Sequence, residues 1–202
     1  MMNQKPHLRN WEQLYQEQEV ESMPWFNGDL DPDIEKKLTK LNLTKGSVLD
    51  IGTGPGTQAI ILAERGFQVT ATDLSETAIK KAAAKAAEKG LNVNWQQDDI
   101  LHSKVSGEFD VIIDRGCFHI FPPENRQDYL NVVYSLLKPK GYLLLKCFSY
   151  LETREGGPHR FTPEEIREIF SPKLQVVSIE ETVYYGNLDP HPLALFNTMQ
   201  KT

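Results

Sequence analysis

The chain has 202 residues, 40% of them hydrophobic and 25% charged, with a formal net charge of −6 at pH 7. These are ordinary values for a globular protein, and the length favours one domain around a single sizeable core. The acidic balance, 28 Asp and Glu against 22 Lys and Arg, argues against a general nucleic-acid binder, whose affinity comes from clustered cations.

The opening MMNQKPHLRNWEQ lacks the apolar stretch of a signal peptide, and no apolar run approaches the roughly 20 residues of a membrane span. The expected location is the cytoplasm, with no membrane partner. Cys117 and Cys147 sit in apolar stretches without CxxC spacing, so they read as reduced core thiols rather than a redox or metal pair.

In chain order, residues 8–20 predict a helix within a polar, aromatic-containing extension that covers the rest. Residues 47–51 (SVLDI) predict a buried strand, 58–65 a helix ended by Gly66, and 68–72 (QVTAT) a second strand. Ser75 caps a predicted helix over 76–89, stopped by Gly90. Residues 91–96 predict a third strand, 109–113 (FDVII) a fourth, 125–137 a helix and 142–148 (YLLLKCF) a fifth strand. In TPEEIREIF, Thr162, Pro163 and Glu165 form a helix-start signature with a capping box. Two last strands, 175–183 and 193–200, are close enough to pair as an antiparallel edge hairpin. The expected fold is α/β, a doubly wound, seven-stranded, mainly parallel sheet. A single domain over 1–202 is expected, with a covering extension (1–46), a core (47–150) and a C-terminal helix with edge strands (151–202).

Between the first strand and first helix lies DIGTGPG, carrying Gly52, Gly54 and Gly56 after Asp50. In a doubly wound sheet that turn faces the ligand crevice, and glycines let a ligand approach the backbone. Asp73 follows Gly56 by seventeen residues, near where an acidic side chain meets the two hydroxyls of a ribose. The loop departs from the GxGxxG dinucleotide pattern, and Pro55 has no N–H to offer a pyrophosphate. A nucleoside without phosphate fits better than NAD.

With these features the chain resembles the class I S-adenosylmethionine-dependent methyltransferases, through VLDIGTGPG, VTATDLS, QQDDI, FDVIIDRG and LLKPKGYLLLK in that order. The resemblance implies S-adenosylmethionine as cofactor. Carried over, it implies that Asp50, Gly52, Thr53 and Gly54 line its methionine end, that Asp73 takes the ribose and that Leu74 lies on the adenine. Asp98 or Asp99, with Ile100, would hold the adenine amino group. No HExxH, nucleophile elbow or ligand cluster accompanies these motifs, and no metal is expected.

After the fourth strand the chain reads DRGCFHIFPPENRQDY, without the Asn/Asp-Pro-Pro-aromatic turn of base-amino methyltransferases. DRG, Arg126, Tyr129, GGPHRFTPEEI and the extension WEQLYQEQEVESMPWFNG resemble the group containing thiopurine, thiol-halide and tellurite-resistance-type methyltransferases. That implies a small-molecule acceptor with a soft nucleophile, foremost a thiol, which needs no dedicated base once ionised. Arg115 is the candidate to hold an anionic acceptor, with Asp114 orienting it or touching the cofactor. Both could instead belong to a structural ion-pair network. Trp11, Tyr15 and Trp25 are candidates to cover the cofactor and form the acceptor pocket. His119 is a candidate base or a core histidine, and His159 with Phe161 a weaker pair of acceptor contacts. Oxygen or nitrogen methylation, an NAD(P)-dependent dehydrogenase and a non-catalytic sensor of the cofactor are the alternatives.

Overall fold

In the computed structural model, which describes residues 10–202, fourteen helices and strands follow one another. They are α1 (Trp11–Glu17), α2 (Pro32–Lys40), β1 (Ser47–Ile51), α3 (Thr57–Glu64), β2 (Gln68–Asp73), α4 (Glu76–Glu88) and β3 (Asn94–Gln97). Then come β4 (Phe109–Arg115), α5 (Pro123–Leu136), β5 (Leu137–Ser149), β6 (Arg160–Phe161), α6 (Pro163–Phe170), β7 (Gln175–Val183) and β8 (Leu193–Gln200). The strands form one sheet in the order β3-β2-β1-β4-β5-β8-β7, with β6 beside β5. β1 to β6 pair in parallel, whereas β8 is antiparallel to both β5 and β7.

Alternation along the central strands creates two buried faces. Val48, Val111, Ile113 and Leu144 pack with Ile34 and Leu38 of α2 and Leu62 of α3 on one side. Leu49, Ile112, Leu143 and Leu145 pack with Leu130 and Val133 of α5 and Ile166 and Phe170 of α6 on the other. Because the chain steps outward from β1 through β3 and then returns to β4, the strand order reverses between β1 and β4. That is where a doubly wound sheet opens a crevice at its carboxyl edge.

The sheet has eight strands rather than seven: the two-residue β6 is too short to carry an alternation pattern. The edge hairpin falls on the predicted residues, and Thr162 and Glu165 form both hydrogen bonds of the capping box. The third strand is shorter than predicted. In the extension, α1 ends at Glu17 and gives way to a 3-10 turn over Val20–Ser22; residues 8 and 9 of the predicted helix lie outside the described residues. α2 is absent from the expectation, although Asp31 at its N-cap, Pro32 in its first turn and Lys37 and Lys40 at its end are ordinary helix signals. Among the described residues, no helix is long and apolar enough to cross a membrane.

Candidate active site

The turn after β1 is left-handed at all three glycines, with φ of +63° at Gly52, +51° at Gly54 and +78° at Gly56, a region that costs side-chain-bearing residues strain. A Cβ on Gly56 would stand 2.6 Å from the Ala82 Cβ and 2.8 Å from the Trp95 ring, and one on Gly54 2.6 Å from the Tyr15 hydroxyl. Gly56 therefore serves the seating of α4 and β3, while Gly52 and Gly54 bare the backbone toward the crevice. Thr53 fixes the turn: its N–H donates to the Thr72 carbonyl at 2.8 Å and its hydroxyl to Asp50 Oδ2 at 2.6 Å.

Asp73, the last residue of β2, accepts from the Gly54 and Ser75 N–H groups, each at 2.9 Å. Burial pushes its pKa up, to about 6, against the pull of those two donors. A carboxylate has about four acceptor positions, so two remain for a diol. The neighbouring Leu74 is 53% exposed, a large apolar side chain kept at the surface beside the carboxylate. The adjacent pair Asp98-Asp99 divides its work. Asp99 accepts from the Leu101 N–H at 3.0 Å and meets His102 Nδ1 at 3.0 Å, capping the 3-10 turn Ile100–His102. Asp98 donates its N–H to the Asp73 carbonyl and accepts from the Lys104 N–H through Oδ1, while its Oδ2 is buried with no partner among the described residues. An orphaned buried acceptor costs about 1–3 kcal/mol, and an adenine amino group would satisfy it. The Ile100 side chain is buried in the apolar cluster on the α5 side of the sheet. Glycine turn, diol acceptor, exposed leucine and orphaned carboxylate oxygen together fit an adenosyl amino acid.

The N-terminal segment lies over this turn. Glu12 accepts from the Ser75 hydroxyl at 2.7 Å, the Thr77 hydroxyl at 2.5 Å and the Thr77 N–H at 3.1 Å. The Thr77 and Ser75 hydrogen bonds lower its pKa to about 2. Lys81 on α4 donates to the Tyr15 carbonyl at 2.6 Å. Trp11 packs edge-on against Trp25, with ring centroids 5.9 Å apart. Tyr15 and Trp25 reach the crevice and Trp11 stays behind them. The space left between these rings and residues 50–54 is about 50 Å³, room for a water or two and not for a nucleoside.

Arg115, at the end of β4, also lines the crevice. Its guanidinium pairs with Asp31 at 2.8 Å and donates to the carbonyls of Trp25 and Tyr185. Asp31 is fully buried and accepts from Lys146 Nζ at 2.7 Å through both oxygens; Lys146 meets Asp33 at 2.7 Å as well. Burial alone would raise the Asp31 pKa, but the Lys146 and Arg115 charges outweigh it and keep the carboxyl below its ordinary range. An acceptor anion would therefore meet the field of Arg115 rather than an unused fork of donors.

Asp114 corrects the expectation. It neither orients Arg115 nor faces the crevice: its oxygens accept the N–H groups of Gly116, Cys117 and Phe118 and the Tyr129 hydroxyl, at 2.7–3.0 Å. It pins the loop after β4, and burial raises its pKa to about 6. His119 lies under Phe148 and Tyr184. Its Nδ1 accepts the Phe148 N–H at 3.3 Å, and burial lowers its pKa to about 3. The Phe161 ring is buried in the α5-side cluster, while the His159 N–H donates to the His119 carbonyl. Neither sequence motif nor spacing marks Asn27, which lines the crevice, or Tyr185, whose carbonyl takes an Arg115 N–H. Gln58, which also lines the crevice, follows the glycine turn directly, and its side chain accepts the Asp31 N–H at 2.8 Å.

The carboxyls give the free protein a pH signature. Burial raises Asp50 to about 7 and Asp73 and Asp114 to about 6. The stability they contribute is complete below the ordinary carboxyl value near 4 and is lost as pH rises through 6 to 7. Asp31 and Glu12, both lowered, lose theirs as pH falls below about 4. The melting temperature should peak at about pH 5 and fall by several degrees toward pH 8. A melting temperature that climbs from pH 5 to pH 8 would contradict this.

Residues 48–141 match a family described as a methyltransferase domain. A 2-heptyl-1-hydroxyquinolin-4(1H)-one methyltransferase of Mycobacteroides abscessus is 35% identical over 170 residues, covering 82% of this chain and 74% of that protein. Thiocyanate methyltransferase 1 of Arabidopsis thaliana is 28% identical over 174 residues, covering 85% and 75%. Among solved structures, 1,6-didemethyltoxoflavin-N1-methyltransferase of Burkholderia thailandensis, with S-adenosylhomocysteine and its substrate bound, superposes with a TM-score of 0.70 at 25% identity, over 85% of this chain and 77% of that one.

Proposed function

This chain belongs to the S-adenosylmethionine-dependent methyltransferases, and we propose that it methylates the sulfur of a small-molecule thiolate. The observation that carries the choice of atom is the burial of His119. An imidazole held near pKa 3 is too weak a base to take a proton from an alcohol or an ammonium at neutral pH. The acceptor must then arrive already ionised, as a thiol of low pKa does. Thiocyanate, named for one relative, is such an anion.

When bound, S-adenosylmethionine supplies a methyl group activated by its sulfonium. The chain's part is alignment and exclusion of water. In this reading the Gly52–Gly54 backbone and Thr53 seat the methionine end, Asp73 holds the ribose hydroxyls, and Leu74 and Asp98 take the adenine face and amino group. Tyr15 and Trp25 close over the reacting atoms, and the Arg115 charge favours the anionic acceptor. The acceptor sulfur forms its new bond to carbon as the donor's carbon–sulfur bond breaks. One anion and one cation become two neutral sulfurs, and no proton moves. The free thiols Cys117 and Cys147 accord with action in the cytoplasm.

A second reading is a heteroaromatic hydroxyl acidic enough to ionise unaided, favoured by the hydroxyquinolone named for the relative at 35% identity. Incubation with labelled donor and a panel of alkyl thiols, aryl thiols, phenols, hydroxy-heteroaromatics and amines at pH 7.5 separates the two. Labelled thioethers are expected, and label confined to oxygen or nitrogen products would overturn sulfur methylation. His119→Gln should reduce thiol turnover less than tenfold; a loss beyond about a hundredfold, the scale of general-base catalysis, would restore His119 as the base.

A further inference from the structure

We propose that Asn27 reads the carboxylate at the amino-acid end of the donor, its side-chain NH2 donating to that group at the rim of the cofactor crevice. This rests on the donor reading above and is independent of the acceptor. An amino acid arrives as a zwitterion, so its seat needs an acceptor for the ammonium and donors for the carboxylate. Among the described residues that line the crevice, Asp50 is the one carboxylate and Arg115 the one cation. Arg115 is already committed: its guanidinium pairs with Asp31 and donates to the Trp25 and Tyr185 carbonyls. The Gln58 amide is committed as well, accepting the Asp31 N–H at 2.8 Å and donating to the Asp29 carbonyl at 3.2 Å.

Asn27 differs from both. Its Oδ1 accepts the Asp29 N–H at 3.1 Å. A main-chain N–H can only donate, so that contact fixes which end of the amide is oxygen. The NH2 lies on the other side, and no hydrogen bond among the described residues uses it. Asn27 lines the crevice and also borders the groove of about 360 Å³ between residues 26–32 and the loop joining β7 to β8. The two Gln58 bonds fasten residues 29–31 onto the first turn of α3, which brings Asn27 up to the start of that helix; Pro55, Thr57 and Gln58 share the crevice lining with it. Gly56, at the N-cap, offers no side-chain cap, so the first N–H groups of α3 add partial positive charge to the same lining. An amide and a helix start can together receive a carboxylate without an unspent guanidinium. Asp50, bonded to the Thr53 hydroxyl at 2.6 Å, is left for the ammonium.

Asn27→Asp tests this with almost no change of shape. Aspartate keeps an oxygen for the Asp29 N–H and replaces the NH2 by a second carboxylate oxygen, which repels the carboxylate of the donor. The full chain is titrated calorimetrically at neutral pH with S-adenosylhomocysteine and with its decarboxylated analogue, which keeps the amine and the adenosine. Asn27→Asp should weaken S-adenosylhomocysteine at least tenfold, while the analogue binds within twofold of the parent or more tightly. Asn27→Ala, which removes the donor without adding charge, should weaken S-adenosylhomocysteine at least threefold and the analogue less than twofold. Equal losses for the two ligands would make Asn27 a support of its segment only. Unchanged S-adenosylhomocysteine affinity in Asn27→Asp would put the carboxylate elsewhere. Either result overturns the assignment and leaves the donor reading standing. If melting curves show Asn27→Asp to be unfolded, the same comparison in Asn27→Ala decides. No binding of S-adenosylhomocysteine by the parent would remove the donor reading and this inference with it.

Discussion

Asp73→Asn should weaken S-adenosylhomocysteine binding by about 30- to 150-fold, or roughly 2–3 kcal/mol, the worth of hydrogen bonds to a charged partner in a secluded site. The effect is large because the carboxylate has two duties. Two of its lone pairs hold the Gly54 and Ser75 N–H groups at 2.9 Å, and the proposed function gives the remaining ones to the ribose. Asparagine offers one acceptor where two are needed and turns its NH2 toward a backbone N–H. Calorimetry on the parent and variant, with melting curves to confirm folding, decides the matter. Affinities within twofold would mean that the sugar is held elsewhere. In the parent, affinity should also decline as pH falls through about 6, because a protonated Asp73 loses acceptor capacity.

Asp31→Ala should cost about 3–5 kcal/mol, the usual penalty for removing one partner of a buried ion pair. For a chain of this size that lowers the melting temperature by roughly 6–20 °C. Lys146 is 1% exposed and would lose its chief counter-ion, with the Asp33 carboxylate and the Val183 carbonyl as its remaining partners. Asp31→Ala combined with Lys146→Met should recover much of the loss, since no uncompensated ammonium remains buried. A single variant that melts within 2 °C of the parent would show that the cluster does not hold the fold together. The cluster also ties the end of β4, through Arg115, to the Trp25 and Tyr185 main chains. Without Asp31, Arg115 loses the anchor that sets its contacts to the Trp25 and Tyr185 carbonyls, so acceptor KM should rise more than donor Kd.

The divided roles of these carboxylates explain how far motifs carry a prediction. Asp50, Asp73, Asp98 and Asp114 occupy equivalent places in the chain's pattern, each at or near the end of a strand on the carboxyl side. Two have positions open for a ligand: Asp73 keeps unused lone pairs and Asp98 an orphaned oxygen. Asp114 has three donors from its own loop and a fourth, the Tyr129 hydroxyl, from α5, with nothing left for Arg115 or the cofactor. Spacing places a carboxylate at a strand end; the path of the next few residues decides what it bonds. Likewise Arg115 lines the crevice, yet its guanidinium is engaged by Asp31, eighty-four positions earlier.

What the sequence determined by itself is the sheet, its carboxyl-edge turn and the kind of donor. Period-two apolar runs, helix caps and glycines at positive φ are local demands of the backbone, legible without knowing what lies across from them. The tertiary structure alone decided which side chains are free to act. It buried His119 beneath Phe148 and Tyr184, spent Arg115 on a distant aspartate, left Asp98 rather than Asp99 with an unmet acceptor, and set the 26–32 segment against the β7–β8 loop to form a groove. Those outcomes depend on desolvation and on partners far apart in the chain, and neither has a period or a spacing that a sequence can display.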